Sequence, residues 1–166
     1  MYIQKYLGSY IFGADEFLYL VEFLEDQKQE EIPLSEIFVK TGLDRQNWDF
    51  HKSVDGLVLT LSDDVIVDLI YAIDVIKDLS ALLLECKVNG SINLRDLDGS
   101  DAPPCHICIS ATPDEHKALN KALSDFVHAP QEYDIFEMMG EDEITQMAYE
   151  MEMVRQELYE KSSVMP

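Results

Sequence analysis

The sequence predicts an α+β fold: a single domain with a small, mostly antiparallel sheet of about four strands, several helices packed on it, and a long C-terminal helix. Three observations predict it. Apolar residues recur at helical spacing in separate stretches, and strict alternation is confined to short runs between residues 57 and 111. A length of 166 residues lies near the commonest size for one domain and is enough to bury one real core. With no internal repeat and no long linker, residues 1–160 read as one domain and the last residues, KSSVMP at 161–166, as a flexible tail.

Taken in order, the start MYIQKYLGSYIFG is interrupted by Gln4, Lys5, Gly8 and Ser9, and lacks the continuous apolar segment and small-residue cleavage site of a secretory signal. In ADEFLYLVEFLEDQ, Phe17, Leu20, Val21 and Leu24 fall on one face at i, i+3, i+4, i+7, with Glu22, Glu25 and Asp26 outside it: an amphipathic helix. A shorter helix opens after Pro33 in LSEIFVK and stops at Gly42, followed by the turn-like GLDRQNWDF. GLVLTLSDDVIVDLI reads as two strands joined at Ser62, Asp63 and Asp64, with Leu57, Leu59 and Leu61 inward on the first and Val65, Val67 and Leu69 inward on the return.

YAIDVIKDLSALLLEC then changes to helical spacing. Ile76, Leu79, Leu82, Leu83 and Cys86 point inward and Asp74, Asp78 and Glu85 form a solvent stripe, with Asn89-Gly90 ending the helix. SINL and CHICISA are short strands on either side of the polar loop RDLDGSDAPP. TPDE at 112–115 is a helix start, with Thr112 as N-cap, Pro113 in the first helical position and Glu115 reaching back to the cap. That helix runs to Pro130. In the last helix, Glu141 to Glu160, Ile144, Met147, Met151, Val154 and Leu158 repeat at intervals of 3 and 4 as a packing stripe, and Tyr149, Glu152 and Gln156 lie opposite.

The chain carries 12 Lys and Arg against 33 Asp and Glu, a formal charge of -21. Such a charge repels nucleic-acid phosphates and anionic lipid and draws in a basic partner. Neither nucleic acid nor a membrane is therefore expected as a partner, and no apolar run approaches the ~20 residues of a membrane span. Three cysteines, Cys86, Cys105 and Cys108, are an odd set too sparse for a disulfide framework, which fits reduced thiols and a cytoplasmic location.

Motifs for chemistry are weak. Cys105-His106-Ile107-Cys108 has CxxC spacing, but alternation on a strand sends the two thiols to opposite faces, where they cannot share a metal or a disulfide. The loop from Asp96 to Asp101 begins like a calcium loop, yet Gly99 is its fourth residue instead of the sixth, and Ile107 is the twelfth in place of a bidentate Glu. No phosphate-binding, dinucleotide, zincin or hydrolase motif is present. No catalytic residue, metal or cofactor is expected. Trp48 reads as a core anchor. The segment 132–160, with ten acidic residues, one Arg and five Met, combines charge with soft apolar side chains suited to an adaptable contact surface.

NWDF at 47–50, YAIDVIKDLSALLLECKVNGSINLRDL at 71–97 and ATPDEHKALNKALSDFVHAPQEYD at 111–134 resemble stretches of small acidic bacterial immunity proteins from contact-dependent inhibition and related polymorphic toxin systems. The resemblance covers most of residues 1–160. It implies a cytosolic protein that binds the toxic C-terminal domain of a cognate effector, often a nuclease, and blocks it without catalysis. It transfers no binding residue.

Charge and periodicity alone supply the candidates for toxin contact: Asp63 and Asp64 at the hairpin tip, Asp74 and Asp78 on the middle helix, and Glu141, Asp142, Tyr149 and Glu152 on the last. A nuclease needs a basic cleft, and an acidic inhibitor can occupy it with faster association through complementary potentials. Two other function classes remain: an acidic adaptor or nucleic-acid mimic that binds a basic host protein, and a small enzyme using carboxylates. The first would bind several basic partners with steep salt dependence; the second would show turnover.

Overall fold

The computed structural model describes residues 15–161, so the expectations for the N-terminal segment and for residues 162–166 lie outside the described residues. The elements run in the order α1 (Asp15–Asp26), β1 (Glu31–Pro33), α2 (Leu34–Thr41), β2 (Val58–Thr60), β3 (Ile66–Asp68), α3 (Ala72–Asn89), β4 (Ile92–Asn93), α4 (Arg95–Asp98), β5 (His106–Ser110), α5 (Pro113–His128) and α6 (Phe136–Gln156). Single helical turns follow α2 at Leu43–Gln46 and α5 at Pro130–Glu132, and α6 runs on into a wider turn at Glu157–Lys161.

The fold is α+β, with its strands divided into two small sheets. One has the order β1-β5-β4 and the other is the hairpin β2-β3. β5 is central in the first, antiparallel to β4 and parallel to β1, with Ile32 opposite Ile109. β1 is absent from the sequence reading because three residues ending in proline show no countable alternation. Its partner is also remote in sequence, and Cys108 extends the pairing by donating its amide to the Glu30 carbonyl at 2.7 Å.

Where local signals are strong, the elements form as predicted. Phe17, Leu20, Val21 and Leu24 of α1 are buried. α2 ends at Gly42, whose left-handed φ of 90° suits a residue without Cβ. Thr112 and Glu115 form the reciprocal cap of α5: the Glu115 amide donates to Thr112 Oγ1 at 3.1 Å and the Thr112 amide to Glu115 Oε1 at 2.8 Å. In α6 the backbone breaks at Gly140 (φ 79°, ψ 178°), so its straight part starts at Glu141 as expected. Ile144, Met147, Met151, Val154 and Leu158 are all buried.

α3 corrects the sequence reading. It packs against β4, β5 and α6, and nearly every side chain from Ala72 to Cys86 is buried. Asp78 and Glu85, expected on a solvent stripe, are only 4% and 2% exposed. Acidic residues at helical spacing normally mark a wet face, but a helix enclosed by other elements has none to offer. Val65 is a smaller correction: expected inward, it lies beyond the end of β3 and is exposed, while Leu57, Leu59, Leu61 and Leu69 are buried and Val67 is half-buried. The buried apolar residues form one continuous cluster from Phe17 to Leu158.

Candidate functional site

The β2–β3 hairpin turns without glycine. The Asp64 amide donates to the Leu61 carbonyl at 3.0 Å, the Leu61 amide to the Val65 carbonyl at 2.9 Å, and Asp64 itself takes the left-handed conformation at φ 62°. This is a type I turn followed by one left-handed residue, a common three-residue hairpin loop. Asp63 Oδ1 accepts the Val65 amide at 3.3 Å, and Asp26 Oδ2 of α1 accepts the Ser62 amide at 2.9 Å, tethering the tip to the helix. Glu22 shares that neighbourhood. Burial first, and then the Asp26, Asp63 and Glu25 carboxylates, push its carboxyl above the ordinary range. Asp63 therefore shares a negative field with Glu22, Glu25 and Asp26.

The same hairpin has an apolar margin. Leu69 donates to Leu57 and Leu61 to Val65, so residues 65, 67 and 69 direct their peptide groups toward β2, and those of Ile66 and Asp68 face outward. Among the described residues β3 pairs only with β2. Along this free edge Ile66 is 64% and Ile70 63% exposed, with Val65 also exposed. Asp63, Asp64 and Asp68 flank them, all exposed.

Asp74 and Asp78 belong to a different place. They meet Lys77, whose ammonium lies 2.6 Å from Asp74 Oδ1 and 3.7 Å from Asp78 Oδ1 with the side chain 5% exposed. Glu16 of α1 and Glu150 of α6 share this interior field. Burial, reinforced by Asp74, pushes Glu16 up to about 7; burial pushes Asp78 up to about 8, and burial raises Glu150 as well. One oxygen of each of Glu16, Asp78 and Glu150 is buried without a hydrogen-bond partner among the described residues. Coulomb attraction to the surrounding carboxylates keeps Lys77 charged, its pKa raised despite burial, which alone would lower it. Asp78 is thus enclosed beside Lys77, in the field of Glu16 of α1, where a partner cannot reach it.

On the terminal helix, Glu141, Asp142 and Tyr149 are exposed as expected. Glu152 is engaged within the molecule. Arg155 grips it with two bonds, Nε to Oε2 at 2.8 Å and Nη2 to Oε1 at 2.6 Å, and donates from Nη1 to Asn120 of α5 at 3.1 Å. The Arg155 guanidinium accordingly holds the Glu152 carboxyl below its usual range. The eight candidates fall into three groups. Two of them are bridged by α1, where Glu16 and Glu22 lie about 9 Å apart along the axis.

Sequence reasoning missed the construction of residues 46–53. Gln46, nearly buried, donates to the carbonyls of Asp49 at 2.9 Å and Lys52 at 2.7 Å and accepts the Val54 amide at 2.7 Å. Asp49 Oδ1 bonds the His51 amide at 3.0 Å and its Nδ1 at 2.6 Å. Asp134 Oδ2 accepts both the amide and the hydroxyl of Ser53 at 3.0 Å. Within this frame Asn47 and Trp48 are both left-handed, at φ 53° and 62°. Trp48 packs on Phe38 at 4.8 Å, and His51 stacks on Tyr133 at 4.1 Å. The signal available beforehand was the NWDFH string itself, in which aromatic and carboxylate residues alternate.

Among the described residues, no group of three or more His, Cys, Asp or Glu is placed to hold a metal, and no helix is long and apolar enough to cross a membrane. Cys86, Cys105 and Cys108 are free thiols. No curated protein and no solved structure matches the chain. A family model described as Immunity protein 68 matches residues 2–158, nearly the whole chain. An acidic chain with an exposed hairpin edge, covered by that family model almost end to end, belongs to the Immunity protein 68 family and is an immunity protein of a toxin system.

Proposed function

We propose that this protein neutralises its cognate toxin by stoichiometric binding, without catalysis, and that the partner is the basic C-terminal nuclease domain of an effector from a contact-dependent inhibition or related polymorphic toxin system, met in the cytoplasm. The observation that carries the proposal is the open β3 edge. It offers outward peptide groups and exposed Val65, Ile66 and Ile70, bordered by Asp63, Asp64 and Asp68. Exposed apolar residues clustered on a small protein mark contact surfaces, and a free strand edge adds main-chain bonds to a docking segment. The flanking carboxylates steer a basic partner, while the buried apolar contacts set its residence time. Glu141, Asp142 and Tyr149 are the second candidate surface. Asp74, Asp78 and Glu152 serve the protein's own packing.

The test is co-expression of the toxin domain encoded beside this chain, with and without the protein. Wild type should restore growth. An Ile66→Lys, Ile70→Lys double variant should fold normally, because both side chains face solvent, yet weaken binding by about 100-fold through lost apolar contact. Growth arrest that wild type does not relieve overturns the neutralisation reading. Full protection by the double variant overturns the hairpin as the docking edge and directs attention to Tyr149. Binding to many basic proteins alike, abolished by moderate salt, would point instead to a nucleic-acid mimic.

A further inference from the structure

Beside the left-handed pair Asn47-Trp48 lies a hollow of about 340 Å³ lined by Trp48, Asp49, Phe50, Lys121, Asp125 and Tyr133 among others. Its size is at the lower end for ligand pockets, suited to one long side chain. Ala118 and Ala122 of α5 leave the room for it. Its aromatic wall is fixed: Trp48 rests on Phe38 and Phe50, and His51 is stacked on Tyr133 and bonded to Asp49. A tryptophan in left-handed backbone is strained, and such strain persists only where surrounding bonds enforce it. The Gln46, Asp49 and Asp134 bonds supply that enforcement.

The charges around the hollow indicate its ligand. Asp49 and Asp125 line the hollow together with Tyr133, and burial first, then the fields of Asp125, Asp49 and Glu132, holds the Tyr133 phenol well above its usual range. The cation at the rim is Lys121, 2.7 Å from Asp125 and 77% exposed. Its pKa is raised, by the bond to Asp125 first and by the field of Asp49 as well. The mouth thus already attracts an ammonium that lies almost entirely in water. Aromatic walls under paired carboxylates favour a planar, weakly hydrated guanidinium over a compact ammonium, because it can stack and form two parallel bonds at once.

We propose that this hollow receives an arginine side chain of the bound toxin, stacked on Trp48 and the His51–Tyr133 pair and bonded by Asp125 and Asp49 in place of the Lys121 ammonium. The source of the arginine rests on the neutralisation reading; the chemistry of the hollow does not. Trp48 is the chain's one tryptophan, so it reports on the site directly.

The experiment titrates the purified full chain with N-acetyl-L-arginine amide at constant ionic strength, following Trp48 fluorescence and its indole N–H resonance. A saturable response is expected. The uncharged citrulline analogue should give none, and the lysine analogue should bind several-fold more weakly. Asp125→Asn should weaken arginine binding by about five-fold, and Lys121→Met should strengthen it by about three-fold by removing the resident cation. Lys121 is exposed and the Asp125 side chain about half so, and circular dichroism checks that each variant folds. The absence of saturation, an equal response to citrulline, or an Asp125→Asn variant that binds as wild type would each overturn the proposal. No toxin takes part in this titration, so its failure leaves neutralisation standing, and failure of the growth assay leaves the pocket standing.

Discussion

At the scale of the residue, the interior around Lys77 gives the clearest physical consequence. Glu16 and Asp78 ionise in the folded state only near pH 7 and 8, against ordinary values of 4.5 and 3.8. Between those limits the folded protein binds more protons than the unfolded chain, so stability rises as pH falls from about 8 toward 5. Lys77, with its pKa raised, stays charged throughout and adds no slope in this window. His116, whose pKa is lowered chiefly by burial, opposes the trend below about 6.5, and Asp49 and Glu152, with lowered values, withdraw their contribution near pH 4. Thermal melts should therefore peak between about pH 5 and 7. Asp78→Asn removes the titrating group and should flatten the alkaline limb, and an alkaline limb unchanged in that variant would refute the assignment. Nothing in the spacing of Asp74 and Asp78 distinguished them from surface acids, since the sequence records charge but not what packs against it.

At the scale of the element, the hairpin lets stability and the proposed toxin contact be tested apart. Asp64 occupies a left-handed position that glycine fills at no steric cost. Asp64→Gly should stabilise the fold by about 0.5–1 kcal/mol, visible as a higher denaturation midpoint with an unchanged slope. If the Asp64 carboxylate guides the toxin, the same variant should associate more slowly. A gain in stability with no kinetic loss would remove Asp64 from the contact set while leaving Ile66 and Ile70 in it. The turn, the caps of α2 and α5 and the buried stripe of α6 were legible because each depends on residues within a few positions of one another. β1 was not, because its partner Cys108 lies far along the chain.

At the scale of the whole molecule, under the proposed function the charge of -21 sets how encounter with a basic toxin domain occurs more than how tightly the complex holds. Raising salt from 50 to 500 mM should lower the association rate with a basic toxin domain by about 10-fold or more, with the dissociation rate little changed. A dissociation rate that climbs in step with salt would mean that charge alone holds the pair and would remove the role assigned to the apolar edge.

The sequence by itself determined the fold class, the longer helices with the caps of α2 and α5, the hairpin and the acidic character, because these follow from periodicity, turn chemistry and composition; the short α4 (Arg95–Asp98) fell in what it read as a loop. Only the tertiary structure decided which acids are accessible. It enclosed Asp78 beside Lys77, gave Glu152 to Arg155, left the β3 edge unpaired among the described residues and opened a hollow at Trp48. The reason is that burial and field at a side chain come from elements distant in sequence, and no local pattern encodes which of them will close over it.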